Sequence, residues 1–156
     1  MTNRLKLIVD KPDLGFSAAH FLVSMGKCNR IHGHNYHVTL TLEGTMDAEA
    51  TVLVDFAEVK TKLQGILAEW DHKILIPSKS KDLTIRTTGE SIEITTRDDR
   101  YFLLPKDDVL FIDFPAASCE YLTMGIYKKV KNLWPNFDIQ VIVEETPGSK
   151  TAYGDF

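Results

Sequence analysis

The chain has 156 residues with ordinary apolar and charged fractions and a net charge of −4, which suits one domain able to bury its own core. The acidic balance, with an isoelectric point near 5.7, argues against the basic stripe of a general nucleic-acid surface, and no apolar run approaches bilayer-spanning length. The opening residues lack the apolar stretch of a secretory leader, and two cysteines, Cys28 and Cys119, are too few for a disulfide framework, so the expected setting is a reducing cytoplasm.

In chain order, Leu5–Val9 and Gly15–Phe21 read as early strands. Residues Tyr36–Glu43 alternate Val38, Leu40 and Leu42 against His37, Thr39 and Thr41, the period of a half-buried strand ended by Gly44. Thr51–Val54 is a short β-branched run stopping at Asp55. Asp55 is placed to cap a helix with Glu58 reaching back, and Val59, Leu63, Ile66, Leu67 and Trp70 follow at helical spacing. Asp71-His72 falls just beyond that helix. Ser91–Thr96, the charged turn Arg97–Arg100 and Tyr101–Leu104 form a hairpin pattern. A second helix is expected after Ser118, with Leu122, Ile126, Val130 and Leu133 on one face and Pro135 as its stop. Ile139–Thr146 is the last strand expected. Strands interrupted by two helices predict an α+β layer fold, an antiparallel sheet with both helices on one face.

The chemistry concentrates between residues 20 and 34, which hold three of the five histidines beside a cysteine. His32 and His34 are two apart, so both rings leave an extended segment on the same side, and Gly33 keeps the approach clear. His20 has to converge from a neighbouring strand. Singly, each histidine reads best as an ordinary polar residue; together they point to metal, and three imidazoles with an open fourth position suit zinc. Cys28 has two readings here: a fourth ligand closing a structural site, or a thiol held off the metal within reach of a bound substrate. Lys27 and Arg30 beside it favour a thiolate and form the only basic cluster near the site, a candidate pocket for an anionic ligand. Asp71-His72 is either a solvated helix end or a carboxylate-oriented imidazole that moves protons. Glu145 lies on the apolar side of its strand with Ile139, Val141 and Val143. It either reaches water at the strand end, the reading favoured by these residues alone, or pairs with a planar N–H/NH2 edge such as that of guanine or pterin.

The set Phe16-Ser-Ala-Ala-His20, Cys28-x3-His32-Gly-His34-Asn-Tyr36, Val54-Asp-Phe56, Asp71-His72, Ser118-Cys-Glu120 and Glu145-Thr146 resembles the 6-pyruvoyl-tetrahydropterin synthase / 6-carboxy-tetrahydropterin synthase family. The resemblance runs from about residue 5 to 155, with the motifs in family order. The three-residue gap between Cys28 and His32 looks like the 6-carboxy, queuosine-pathway branch. The resemblance implies a tunnelling fold over 1–156: a four-stranded antiparallel sheet with two helices on one face, three subunits closing a β-barrel and two trimers stacking into a hexamer. It implies Zn2+ on His20, His32 and His34 and Cys28 as the base. Asp71 and His72 become the proton-relay pair, contributed by an adjacent subunit. Glu145 becomes the anchor of the pterin ring, reversing the reading made from its strand alone, with Ser118 and Cys119 near that ring. The implied substrate is 7,8-dihydroneopterin triphosphate, cleaved to 6-carboxy-5,6,7,8-tetrahydropterin with release of triphosphate and acetaldehyde.

Two features depart from the family pattern. Ala117-Ser118-Cys119-Glu120 stands where Pro-Thr-(Thr/Ser)-Glu is usual, putting a thiol in place of a hydroxyl at 119. Residues 79–110 exceed the short linker of compact bacterial members and read as a passive hairpin insertion. The readings left to compete with the carboxy lyase are pyruvoyl-tetrahydropterin formation, an aldolase-like splitting of the side chain, a zinc-dependent pterin- or purine-binding protein without turnover, and a closed structural zinc site on an interaction domain.

Overall fold

The computed structural model describes residues 3–156. Arg4–Val9 (β1) and Gly15–His20 (β2) precede a fourteen-residue strand, His32–Thr45 (β3). Helix Phe56–Ala68 (α1) leads to Lys73–Pro77 (β4). Leu83–Thr88 (β5), Ser91–Thr96 (β6) and Tyr101–Pro105 (β7) form a separate three-stranded meander. Val109–Ile112 (β8), helix Cys119–Leu133 (α2), Asp138–Thr146 (β9) and Ser149–Gly154 (β10) complete the chain. Among the described residues no helix is long and apolar enough to cross a membrane.

The main sheet departs from the expected four antiparallel strands. It has seven, in the order β10-β9-β3-β2-β4-β8, with β1 also paired to β3. The length of β3 is the reason: its first half pairs with β2, its second half with β1, and its other edge with β9. The sheet is also mixed, because β4 runs parallel to both β2 and β8. These two strands are too short to show a period, and β10 has no alternation of apolar residues to reveal it. The expected Thr51–Val54 strand does not form; Leu53 and Val54 instead lean on the core from a bend. Residues 79–110 hold three paired strands rather than a hairpin alone, since β5 joins β6 on the edge away from β7.

Helix α1 starts as its cap residue predicts. Asp55 Oδ1 accepts from the Ala57 N–H at 2.8 Å, satisfying one of the orphan donors of the first turn. Glu58 does not reach back; it pairs with Lys62 one turn on. Helix α2 buries Leu122, Ile126 and Val130 as expected, but Leu133 is exposed and Trp134 is buried in its place, because the chain leaves helical geometry at Trp134 before Pro135. Both helices cover the face of the sheet on which Phe16, Ala18, Tyr36, Val38, Leu40, Ile139, Val141 and Val143 are buried.

That face positions the site. In the β2–β3 register Phe16 lies opposite Tyr36, Ala18 opposite His34, and His20 opposite His32. The histidines therefore continue the core-facing parity of both strands past the point where the apolar side chains stop. The register pair His37–Glu144 between β3 and β9 carries Glu145 one step further, beside Tyr36 on the same face.

Candidate active site

His20, His32 and His34 each offer a ring nitrogen, and the three nitrogens lie within 4.8 Å of one another. The ring centroids are 4.6, 5.2 and 5.1 Å apart. His20 is buried at 1% exposure, and burial holds its imidazole below its ordinary pKa, so it stays neutral.

Backbone carbonyls set the tautomers. His20 Nδ1 is 2.6 Å from the Ala117 carbonyl and His32 Nδ1 is 2.7 Å from the Arg30 carbonyl. A carbonyl can only accept, so each Nδ1 carries the proton and each Nε2 presents a lone pair. His34 Nε2 is buried with no hydrogen-bond partner. An unpartnered buried nitrogen is costly unless something occupies it. Three imidazoles converging on one point, two of them with their Nε2 lone pairs set by these carbonyls, fit a metal ion, and three nitrogen donors with no fourth ligand in the group among the described residues fit an open zinc shell.

Cys28 sits in the 3-10 turn Gly26–Asn29 that leads into β3. It is partly buried as a free thiol and is not part of the histidine group. Its carbonyl accepts from the Leu22 N–H at 2.7 Å, which ties the turn to a residue lining the neighbouring cleft. Lys27 and Arg30 flank it with exposed side chains; the part of Arg30 that reaches the site is its carbonyl.

Glu145 joins the histidines. Its carboxylate oxygens lie 3.7 Å from His34 Nε2 and 3.9 Å from His20 Nε2. Because His20 is held neutral, its approach to Glu145 is a contact with an uncharged ring rather than an ion pair. Glu145 also lines a cleft of about 460 Å³ with Leu22, Ser118, Cys119, Lys150 and Thr151. Ser118 stands at the N-cap of α2 without a side-chain capping bond, Cys119 is the first residue of the helix, and the Cys119 thiol is pushed up by burial and so stays protonated. Its Sγ donates to the Val143 carbonyl at 3.5 Å.

The structure does not bring Asp71 and His72 to the histidine group of the same chain. They sit at the edge of β2 where β4 begins. Asp71 Oδ1 accepts from the Ser17 N–H at 2.7 Å, and the His72 N–H donates to the Ser17 carbonyl at 2.7 Å. The backbone bond from Ser17 leads the contacts, with that from His72, that hold the Asp71 carboxyl below the ordinary range. His72 Nδ1 is 2.8 Å from Asp71 Oδ2, so the carboxylate orients the ring, and Nε2 faces outward on a side chain 84% exposed. The ring lines a cleft with Ser17, Ala19 and Asn35, whose parity on β2 and β3 is opposite to that of the three histidines, and with Ala18 and His34. His72 also takes a left-handed backbone, φ 59°, which a non-glycine residue rarely adopts.

Reasoning from residue types does not find the Ala117 and Arg30 carbonyls or the contact of the Tyr36 hydroxyl with His20 at 3.4 Å. A backbone carbonyl carries no residue signature, whereas Tyr36 was legible as the even-parity continuation of His32 and His34. Gly33 owes its place to the neighbouring strand: a Cβ there would stand 3.1 Å from the Ala18 carbonyl oxygen, tighter than such contacts normally are.

The family profile described as 6-pyruvoyl tetrahydropterin synthase matches residues 11–155. A 6-carboxy-5,6,7,8-tetrahydropterin synthase of Bacillus subtilis is 32% identical over 143 residues, covering 90% of this chain and 81% of the relative. The 6-pyruvoyl tetrahydrobiopterin synthase of Homo sapiens is 29% identical over 106 residues, 59% of this chain and 73% of the relative. Among solved structures, a 6-pyruvoyl tetrahydropterin synthase from Plasmodium vivax superposes with a TM-score of 0.90 at 27% identity, covering 98% of both chains.

Proposed function

The chain belongs to the 6-pyruvoyl tetrahydropterin synthase family, an enzyme family of tetrahydropterin-forming lyases, and from that premise we propose that it is a zinc-dependent lyase converting 7,8-dihydroneopterin triphosphate to 6-carboxy-5,6,7,8-tetrahydropterin. The observation that carries the reading is the convergence of three imidazole nitrogens within 4.8 Å, one of them buried and unpartnered.

In this reading His20, His32 and His34 hold the zinc. The bound ion supplies Lewis acidity to the hydroxyls of the substrate side chain. Cys28 takes the proton released at the reacting carbon, acting as general base. His72, oriented by Asp71, returns a proton elsewhere on the side chain or ring during tautomerisation. The exposure of the His72 ring, which lies outside the histidine group, supports its service at the site of an adjacent subunit, in a homo-hexamer of the cytoplasm. Glu145 accepts paired N–H bonds from the pterin ring, with Ser118 and Cys119 lining the same cleft and Lys27 and Arg30 drawing in the anionic triphosphate.

Replacing Glu145 by glutamine is expected to raise KM for the pterin triphosphate by about 10-fold to 100-fold, the worth of a hydrogen bond to a charged group, with zinc content unchanged. An unaltered KM removes the anchoring role.

The carboxy product is favoured by the three-residue gap after Cys28 and by the broad match to the Bacillus subtilis relative. The pyruvoyl product is the second reading, favoured by the full-length likeness to the Plasmodium vivax structure. Zinc-loaded protein incubated with 7,8-dihydroneopterin triphosphate is expected to release triphosphate and acetaldehyde together with a 6-carboxy pterin, followed by mass spectrometry. Triphosphate without acetaldehyde establishes the pyruvoyl reading. Neither product leaves a binding protein without turnover.

A further inference from the structure

The meander β5–β7 meets the rest of the chain where the catalytic thiol is carried. A second apolar cluster, separate from the main core, buries Phe21, Ile76, Ile92 and Ile94, with Val23, Phe102 and Leu104 packed around them. The rings of Phe21 and Phe102 stack at 4.8 Å. Phe21 directly follows His20, and Val23 lies in the loop that runs on to Cys28.

The turn at the tip of β6 and β7 completes the attachment. Arg97 donates to Ser24 Oγ at 3.3 Å and pairs with Asp82 at 3.1 Å. Asp98 Oδ2 accepts from the side-chain amide of Asn29, the neighbour of Cys28. The other carboxylate oxygen accepts from Thr96 Oγ1, and Thr96 is itself buried and bonded to the Arg100 N–H. The hydrogen bonds from Thr96 and then Asn29 hold the Asp98 carboxyl below its ordinary range, so it remains a charged acceptor at neutral pH.

The loop needs such support. The turn Gly26–Asn29 buries no residue of its own, and Ser24 and Gly26 both have left-handed backbones, φ 61° and 58°. Its internal ties are short-range backbone bonds among Leu22, Met25 and Cys28. A segment with few buried contacts opens at low cost unless something outside holds it.

We propose that the meander is a brace for the loop carrying Cys28 and that Asp98 is a positioning residue for the thiol, acting through Asn29. The inference deepens the reading of Cys28 as base and rests on it. The tip of the meander around Asp98 then supports the loop of Cys28, and the segment 79–110 is not a passive insertion.

The test is Asp98→Ala in the full, zinc-loaded chain. Expected are a kcat lowered by about 10-fold to 100-fold, the scale of a misplacement near 1 Å, an unchanged zinc content and a KM within about twofold of wild type. Independently of activity, iodoacetamide labelling of the Cys28 peptide and amide exchange over residues 22–30 are expected to change. The double exchange Asn29→Asp with Asp98→Asn is expected to restore both, because the new amide donates to the new carboxylate while its carbonyl still accepts from Thr96. Arg86→Ala, which removes only the exposed pair with Glu93 on the same meander, is expected to behave as wild type. If Asp98→Ala does not fold, Asn29→Ala removes the same bond from the loop side and is read in the same way. Cys28 labelling and loop exchange identical to wild type overturn the brace, as does a double exchange that restores neither. A fully active Cys28→Ala variant sinks the base reading instead, and the labelling of the wild-type thiol still decides whether the loop is braced.

Discussion

Replacing Cys28 by alanine is expected to lower turnover of 7,8-dihydroneopterin triphosphate by about 10²-fold to 10⁴-fold, the usual contribution of a positioned general base, while zinc stays bound at wild-type stoichiometry. The expectation follows from where the thiol sits. Three imidazole nitrogens form a group within 4.8 Å that does not include Cys28. Removing the thiol therefore leaves the donor set intact and removes a proton acceptor. Metal analysis and steady-state kinetics on the same preparation check both halves. Zinc lost in proportion to activity makes Cys28 a ligand and turns the site into a closed structural one.

The complementary variant, His34→Ala, is expected to lose zinc and activity together. Outer-shell partners of metal ligands typically cost 10-fold to 100-fold in affinity when removed, so deletion of a ligand is expected to weaken zinc binding by more than about 100-fold. His34 is the informative choice because its Nε2 is buried without a partner, an atom that a bound metal ion would satisfy. Binding to the folded state raises stability in proportion to RT ln(1 + [L]/Kd). Chelation of wild type is thus expected to lower Tm, whereas His34→Ala is expected to show no difference in Tm with and without zinc. Comparing each protein with its own metal-free form cancels the cavity that the substitution leaves. A variant that keeps both zinc and the chelation shift excludes His34 from the ligand set.

Much of this site was readable before any coordinates, for a local reason. His32 and His34 share a strand, so a period of two puts both rings on one side, and the same parity carries Tyr36, Val38 and Leu40 into the core. Parity also assigned Glu145 to the face of Ile139, Val141 and Val143, although those residues alone favoured an outlet to water over the place it takes beside His34 and His20. The Asp55 cap and the α1 face were equally local. The sheet was misjudged where elements are short or featureless: β4 and β8 give too few residues to show a period, and β10 has little apolar content. Thr51–Val54 erred in the other direction, a β-branched run with no strand to pair with. The insertion was recognised by its length, but nothing in Arg97-Asp98 announces a contact with Ser24 and Asn29, 69 residues away in the case of Asp98.

The amino-acid sequence by itself determined which three histidines gather and the sharing of one face by His32, His34 and Glu145, because these depend on residue type and on an alternation that needs only a few consecutive residues. Tertiary structure decided the rest. It brought His20 across from β2, chose the tautomers of His20 and His32 through two backbone carbonyls, and set Asp71 and His72 on the edge of β2 outside the histidine group. It also laid the meander against the loop of Cys28. Those outcomes rest on carbonyl and amide groups that every residue carries and on contacts between distant segments, so no residue type marks them in advance.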